Sequence, residues 1–267
     1  MSKRDAAVAG FFYPGAREEL LAEVDRCLEG DSPRERASMV VLPHAGYVFS
    51  GRTAGRVLSR VEVPERVVLL GPKHRAAGAP LALSPDDAWR LPSGDVPIDR
   101  ELSGIVERET AAVFDDTAHR DEHSLEVEVP LLWRSNPELR LTPLAVGMIR
   151  ADDVLELGRG LARAVRSLDE PVLLAASTDM SHQIPEAEAR RLDRLAIDKV
   201  LELDPGGLID IVAERGITMC GVLPTAAALQ AARELGASAA ELVDYTTSGE
   251  YNRDFDRVVG YAGIVVG

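Results

Sequence analysis

The amino-acid sequence predicts an α/β fold with a mixed, largely parallel sheet. Short apolar segments of strand type alternate along the chain with longer segments of helical period, which is the pattern of α/β proteins. Apolar residues make up 46% of the 267 residues, enough to form a sizeable buried core. No internal repeat and no long linker rich in Pro, Gly or Ser divides the chain, so we expect a single domain over residues 1–267.

Each predicted element follows from the spacing of its apolar residues. Short apolar runs are typical of buried strands, which we predict at residues 39–43, 66–71, 80–83, 139–146, 171–177 and 258–266. Apolar residues repeated every three or four positions predict helices at 16–28, 52–60, 100–108, 124–134, 151–167, 185–203, 206–215 and 223–235. The segments 84–99 and 115–123 are polar and rich in turn residues, so we expect them to be surface loops.

The charge and the apolar segments exclude several classes of protein. The chain has 30 Lys and Arg against 44 Asp and Glu, and its net charge of −14 repels phosphate backbones and anionic membranes. We therefore expect no nucleic-acid and no membrane partner. The apolar stretch near the N-terminus is too short for a signal peptide, and no segment approaches the ~20 apolar residues that span a bilayer. These observations predict a cytoplasmic protein with reduced cysteines.

Three of the five histidines follow predicted strands. His44, His74 and His182 each lie just beyond the carboxyl end of an apolar run. In open α/β sheets this edge binds ligands, because the loops that follow the strands converge over it. The separations between the three histidines are too wide for a zinc finger. They suit a metal site that is assembled from separate strands.

The two cysteines differ in their surroundings. Cys220 stands just before a predicted apolar helix, where the helix dipole should favour the thiolate that binds metals. A small buried apolar residue is the alternative role for it. Cys27 lies among apolar residues of a predicted helix and is expected to be part of the core.

Three further polar residues are candidates for the same site. His123 stands at the start of a predicted helix, where it either caps the helix or contributes to function. His119 lies on a polar loop and is either a second ligand or exposed to solvent. Asp179 is either a ligand itself or a hydrogen-bond partner of a ligating imidazole. No nucleophile elbow, Walker-type loop or His-Glu-x-x-His helix competes with this site.

Five motifs in this order resemble the Memo-like family (mediator of cell motility). They are GFFYP at 10–14, PHAGY at 43–47, LGPKH at 70–74, EHSLE at 122–126 and STDMSH at 177–182. That family is similar in fold to the class III extradiol dioxygenases, which implies a three-layer α/β/α sandwich. In bacteria and archaea its members resemble one component of the AmmeMemoRadiSam set, which implies a functional link to a radical-SAM protein.

The resemblance also implies a metal pocket. It places metal ligands at His44, His74 and Cys220, with His123, Asp179 and His182 lining the cavity as catalytic residues. Class III dioxygenases use a carboxylate where this chain offers Cys220, and a thiolate favours copper(I) or zinc more than a carboxylate does. The resemblance favours iron(II) as the cofactor, with copper or zinc as alternatives.

Three functions are compatible with these residues. The first is a metal-dependent oxidoreductase, in which His182 acts as general acid or base and His123 orients the substrate or oxygen. The second is a zinc hydrolase that uses the same ligands. The third is a non-catalytic module that binds a peptide or a phosphorylated side chain. Lys73 and Arg75 would then give the opening of the pocket a positive charge. The substrate, whether a small molecule or a peptide, is not identified by the sequence.

Overall fold

A computed structural model describes residues 2–30 and 33–267. Within these residues the strands are β1 (Lys3–Asp5), β2 (Met39–Leu42), β3 (Arg66–Pro72), β4 (Leu81–Leu83), β5 (Ala88–Leu91), β6 (Gly94–Pro97), β7 (Val113–Phe114), β8 (Arg140–Val146), β9 (Val172–Ser177), β10 (His182–Ile184), β11 (Ala240–Thr247) and β12 (Val258–Val266).

The helices alternate with these strands, as the sequence predicts. They are α1 (Arg17–Cys27), α2 (Tyr47–Leu58), α3 (Arg100–Glu109), α4 (Val129–Ser135), α5 (Ala151–Arg166), α6 (Glu186–Leu201), α7 (Pro205–Arg215), α8 (Val222–Leu235) and α9 (Gly249–Asn252). A 3-10 turn over Glu126–Glu128 precedes α4. No helix in the described part of the chain is long and apolar enough to cross a bilayer.

A mixed sheet forms the centre of a three-layer α/β/α sandwich. Its strands follow the order β10-β12-β2-β9-β3-β8-β4-β7, and β11 also pairs with β12. The four central strands β2, β9, β3 and β8 are parallel to one another. The strands toward both edges join mainly in antiparallel pairs. Because β2, β9 and β3 are parallel, their carboxyl ends lie at the same edge of the sheet.

Alternate residues of the central strands face two separate apolar cores. Val41 of β2 and Leu70 of β3 belong to the core formed with α3 and α5 to α8. Val40 and Leu69, one position earlier in each strand, belong to the core formed with α1, α2 and α4. Cys27 is 2% exposed and lies in this second core, which confirms the expectation for it. Both faces of the strands are therefore apolar, which explains their continuous apolar runs.

The structure corrects several sequence expectations. Segment 84–99 is not a loop, because its β5 and β6 form a three-stranded sheet with the N-terminal β1. Helix α2 begins at Tyr47 rather than at residue 52. The helix expected at 124–134 is divided into the 3-10 turn and α4. Strand β11 was not predicted, although it pairs with β12 along its length.

Candidate metal centre

The central strands bring their C-terminal ends together at one edge of the sheet. Strand β9 lies between β2 and β3 and is parallel to both. His44 follows the end of β2, His74 follows the end of β3 and Asp179 follows the end of β9, each by two residues. The shared edge predicted for His44 and His74 is therefore present in the fold.

Three imidazoles meet above this edge. Ligand nitrogens of His44, His74 and His123 all lie within 4.8 Å of one another. The ring of His123 stacks on that of His74 with centroids 4.5 Å apart, and the ring of His44 meets both nearly edge-on at 5.4 and 5.5 Å. His123, expected to line the pocket, is thus a third member of the imidazole group.

His44 is held by the end of β9. Its Nδ1 lies 2.7 Å from Ser177 Oγ, and its backbone N–H donates to Asp179 Oδ1 at 2.9 Å. The Ser177 hydroxyl donates to the Ser124 carbonyl at 2.7 Å, so it accepts the hydrogen of Nδ1. Burial, followed by the charges of His123 and His74, lowers the pKa of His44 well below its usual value. His44 is therefore neutral, with the lone pair of Nε2 available to a metal.

Glu122 holds His74 in the same way. Its carboxylate, 1% exposed, lies 2.8 Å from His74 Nδ1 and also accepts the backbone N–H groups of His74, His123 and Ser124. Burial alone would raise the pKa of Glu122, but these hydrogen bonds lower it to about 2. Carboxylates in this position orient metal-binding histidines and make them better ligands. Glu122 was absent from the site residues that we predicted.

Cys220 lies beside the imidazole group. Its Sγ is 3.4 Å from His44 Nε2 and accepts the backbone N–H of Asp179 at 3.3 Å. Gly221 permits this approach, because a Cβ there would lie 2.5 Å from both the Ser177 carbonyl and Thr178 Cβ. The expectation of a free thiolate is wrong for the metal-free protein, since burial and then the charge of Asp179 raise the pKa of Cys220 to about 12.

The remaining predicted residues take three different positions. Asp179 supports the loop of His44. Burial raises the pKa of Asp179 to about 7, although hydrogen bonds from the backbone of His44 and Ala45 act to lower it. His182 is on β10, where its Nδ1 lies 2.9 Å from the Thr218 carbonyl. Its charge adds to the effects that lower the pKa of His44, of which burial is the largest, but His182 is outside the group of three imidazoles. His119 is neither a member of that group nor exposed, because its ring is buried with Nε2 2.9 Å from the Ala82 carbonyl.

Two more buried carboxyl groups support the site, and the sequence analysis missed both. Glu128 is fully buried and lies 3.2 Å from Ser177 Oγ, and burial followed by the charge of Asp179 raises its pKa well above the usual value. Glu126 is fully buried and pairs with Arg4 at 2.6 Å. A sequence signal for them was present, because Glu126 and Glu128 alternate with the apolar residues 125, 127 and 129, and a glutamate in such surroundings is buried only when it is paired.

Comparisons with known proteins identify relatives along nearly the whole chain. A family model described as Memo-like protein matches residues 4–265. MEMO1 family proteins of Methanopyrus kandleri and Aquifex aeolicus are 40% and 39% identical, over 98% and 99% of both chains. The crystal structure of an uncharacterized protein from Escherichia coli K12 superposes with a TM-score of 0.59 at 14% identity, covering 86% of this chain and 100% of that one. This last likeness shows the shared fold alone.

Proposed function

This chain belongs to the Memo-like family, and we propose that it is a metal-dependent oxidoreductase of the class III dioxygenase type. The observation that carries the proposal is the group of three imidazoles at the sheet edge, with a thiol against one of them. Iron(II) is the metal that we favour, with copper as the alternative. Either metal would supply one-electron chemistry with oxygen.

The side chains present fit a metal of this kind. His44 and His74 each use Nδ1 for a hydrogen bond within the protein, which leaves Nε2 for a ligand. His44 Nε2 and Cys220 Sγ lie 3.4 Å apart, so both atoms could contact one ion. We therefore propose His44, His74 and Cys220 as the ligands.

The other residues of the site would serve the substrate. His123 stacks on His74 and is 24% exposed in its side chain, so it is placed to orient a molecule that enters. His182 donates Nδ1–H to the Thr218 carbonyl, which leaves Nε2 free to exchange a proton as general acid or base. Asp179 would act on the substrate only through His44, whose backbone it holds.

Native metal content is the first test of this proposal. We expect protein purified anaerobically and without a tag to contain near-stoichiometric iron or copper, and oxygen consumption to depend on that metal. Zinc with an activity indifferent to oxygen would instead favour a hydrolase, for which this donor set is also suited. Protein that carries no metal and binds none when it is added would contradict the metal site and favour a binding module.

The pH dependence of metal affinity tests the role of Cys220. A metal that binds its sulfur must displace the thiol proton, because the pKa of about 12 keeps that proton in place. We expect zinc affinity, measured by chelator competition, to rise about tenfold per pH unit between roughly pH 7.5 and 9, where imidazoles are neutral. Cys220→Ser should weaken binding and remove this slope. An equal slope in Cys220→Ser would show that the displaced proton does not come from Cys220. A parent without a slope over this range would instead favour His123 as the third ligand, because its imidazole carries no proton that a metal must displace there.

A further inference from the structure

Cys220, but no histidine, is among the described residues that line an apolar cavity. The cavity has a volume of about 370 Å³, and its wall includes Ile149, Ile209, Met219, Val222 and Leu223. This volume lies within the ~300–1,000 Å³ of small-molecule sites. Lys73 is the single charged residue among the described residues that line it. The proposed metal ligand Cys220 therefore lines a cavity whose wall suits a hydrocarbon group.

A second cavity shares part of its wall with the first. Its volume is about 440 Å³, it shares Lys73, Gly147 and Met148 with the apolar cavity, and it is lined by His74 and Arg75. The two cavities are thus neighbours, and we call them together the groove, with Cys220 in the first cavity and His74 in the second. Met148, which is 90% exposed at the junction, offers an adaptable apolar contact to a bound molecule.

Arg75 provides the charge in this groove. Lys73 Nζ is already bound to the carbonyls of Ala76, Ala77 and Gly78 at 2.7 to 3.2 Å. Arg75 is exposed and makes no hydrogen bond or ion pair with any residue that the structure describes. It lines the second cavity together with His74, which places it beside the imidazole group. An unpaired guanidinium there can bind a carboxylate through two parallel hydrogen bonds.

We propose that the substrate of this site is an amphipathic carboxylate, with its apolar part in the cavity beside Cys220 and its carboxylate on Arg75. The proposal rests on the proposed function, since the proposed metal ligands Cys220 and His74 line the two cavities. A single negative charge suits the groove better than a phosphate, because the chain carries a net charge of −14 and offers one unpaired cation here.

Calorimetric titration with octanoate and with uncharged 1-octanol tests the two parts separately. We expect Arg75→Gln to weaken octanoate binding about tenfold or more, as loss of a charge-assisted pair does, while 1-octanol binding stays unchanged. We expect Ala213→Phe to weaken both probes, because this exposed residue of α7 lines the apolar cavity and a larger side chain would fill it.

Matched controls make the result specific. Arg108→Gln on α3 and Ala187→Phe on α6 change the same residue types at exposed positions outside the groove, and both should bind as the parent does. Metal content, measured in every variant, should stay at the parent level. Absence of octanoate binding to the metal-loaded parent, or equal binding by Arg75→Gln and the parent, would overturn the substrate assignment. Loss of metal from the parent itself would contradict the proposed function instead.

Discussion

His44→Asn is expected to abolish metal binding, with an affinity loss of more than about a hundredfold. Even an outer hydrogen-bond partner of a ligand contributes ten- to a hundredfold to metal affinity, and removal of a ligand should cost more. Asparagine is the informative replacement, because its amide N–H occupies the position of Nδ1 and can still donate to Ser177. The variant therefore removes Nε2 and keeps the contact that positions the loop. Metal content after purification and zinc affinity by chelator competition measure the effect.

His182→Ala is the control for this prediction. His182 lies at the same end of the fold, but its Nδ1 bonds to Thr218 and its ring is outside the group of three. We expect the variant to keep parental metal content and to lose turnover, if His182 transfers a proton. Stoichiometric metal in His44→Asn, or metal loss in His182→Ala equal to that in His44→Asn, would contradict the ligand assignment.

The sequence predicts the centre of this fold better than its edges. The apolar runs of β2, β3 and β9 are buried on both faces, so their composition alone identifies them. Strand β11 is mostly half-exposed, and its mixed composition resembles that of a loop. Strands β1 and β5 pair across more than eighty residues of chain, and no local pattern reveals such a pairing.

The same distinction applies to the site. His44 and His74 could be predicted because each directly follows a buried strand, and the order of parallel strands determines where such residues meet. The place of His123 depends on a loop whose conformation is fixed by Glu122 and Glu126. Glu126 in turn binds the N-terminal segment, 122 residues away in sequence. Such long-range hydrogen bonds cannot be read from spacing, so the sequence does not reveal which groups Glu122 and Glu126 hold.

Glu126 joins that N-terminal segment to the metal centre. Its two carboxylate oxygens accept hydrogen bonds from Arg4, from the backbone N–H groups of Ala7 and Val8, and from the Tyr13 hydroxyl. The segment so anchored carries Phe12, whose ring lies 4.8 Å from that of His123. The carboxylate therefore holds both a buried arginine and the aromatic wall of the site.

We expect Glu126→Gln to lower the free energy of unfolding by about 3–5 kcal/mol, because it leaves the buried Arg4 guanidinium without its counter-charge. The amide NH₂ of glutamine would also face hydrogen-bond donors that now point at an acceptor. The control is Asp5→Asn, which removes an exposed ion pair with Arg90 and should cost no more than about 1 kcal/mol. Denaturant titration of both variants measures the difference. A loss below about 1 kcal/mol in Glu126→Gln would show that the N-terminal segment is held by other contacts, and His123 would then not depend on it.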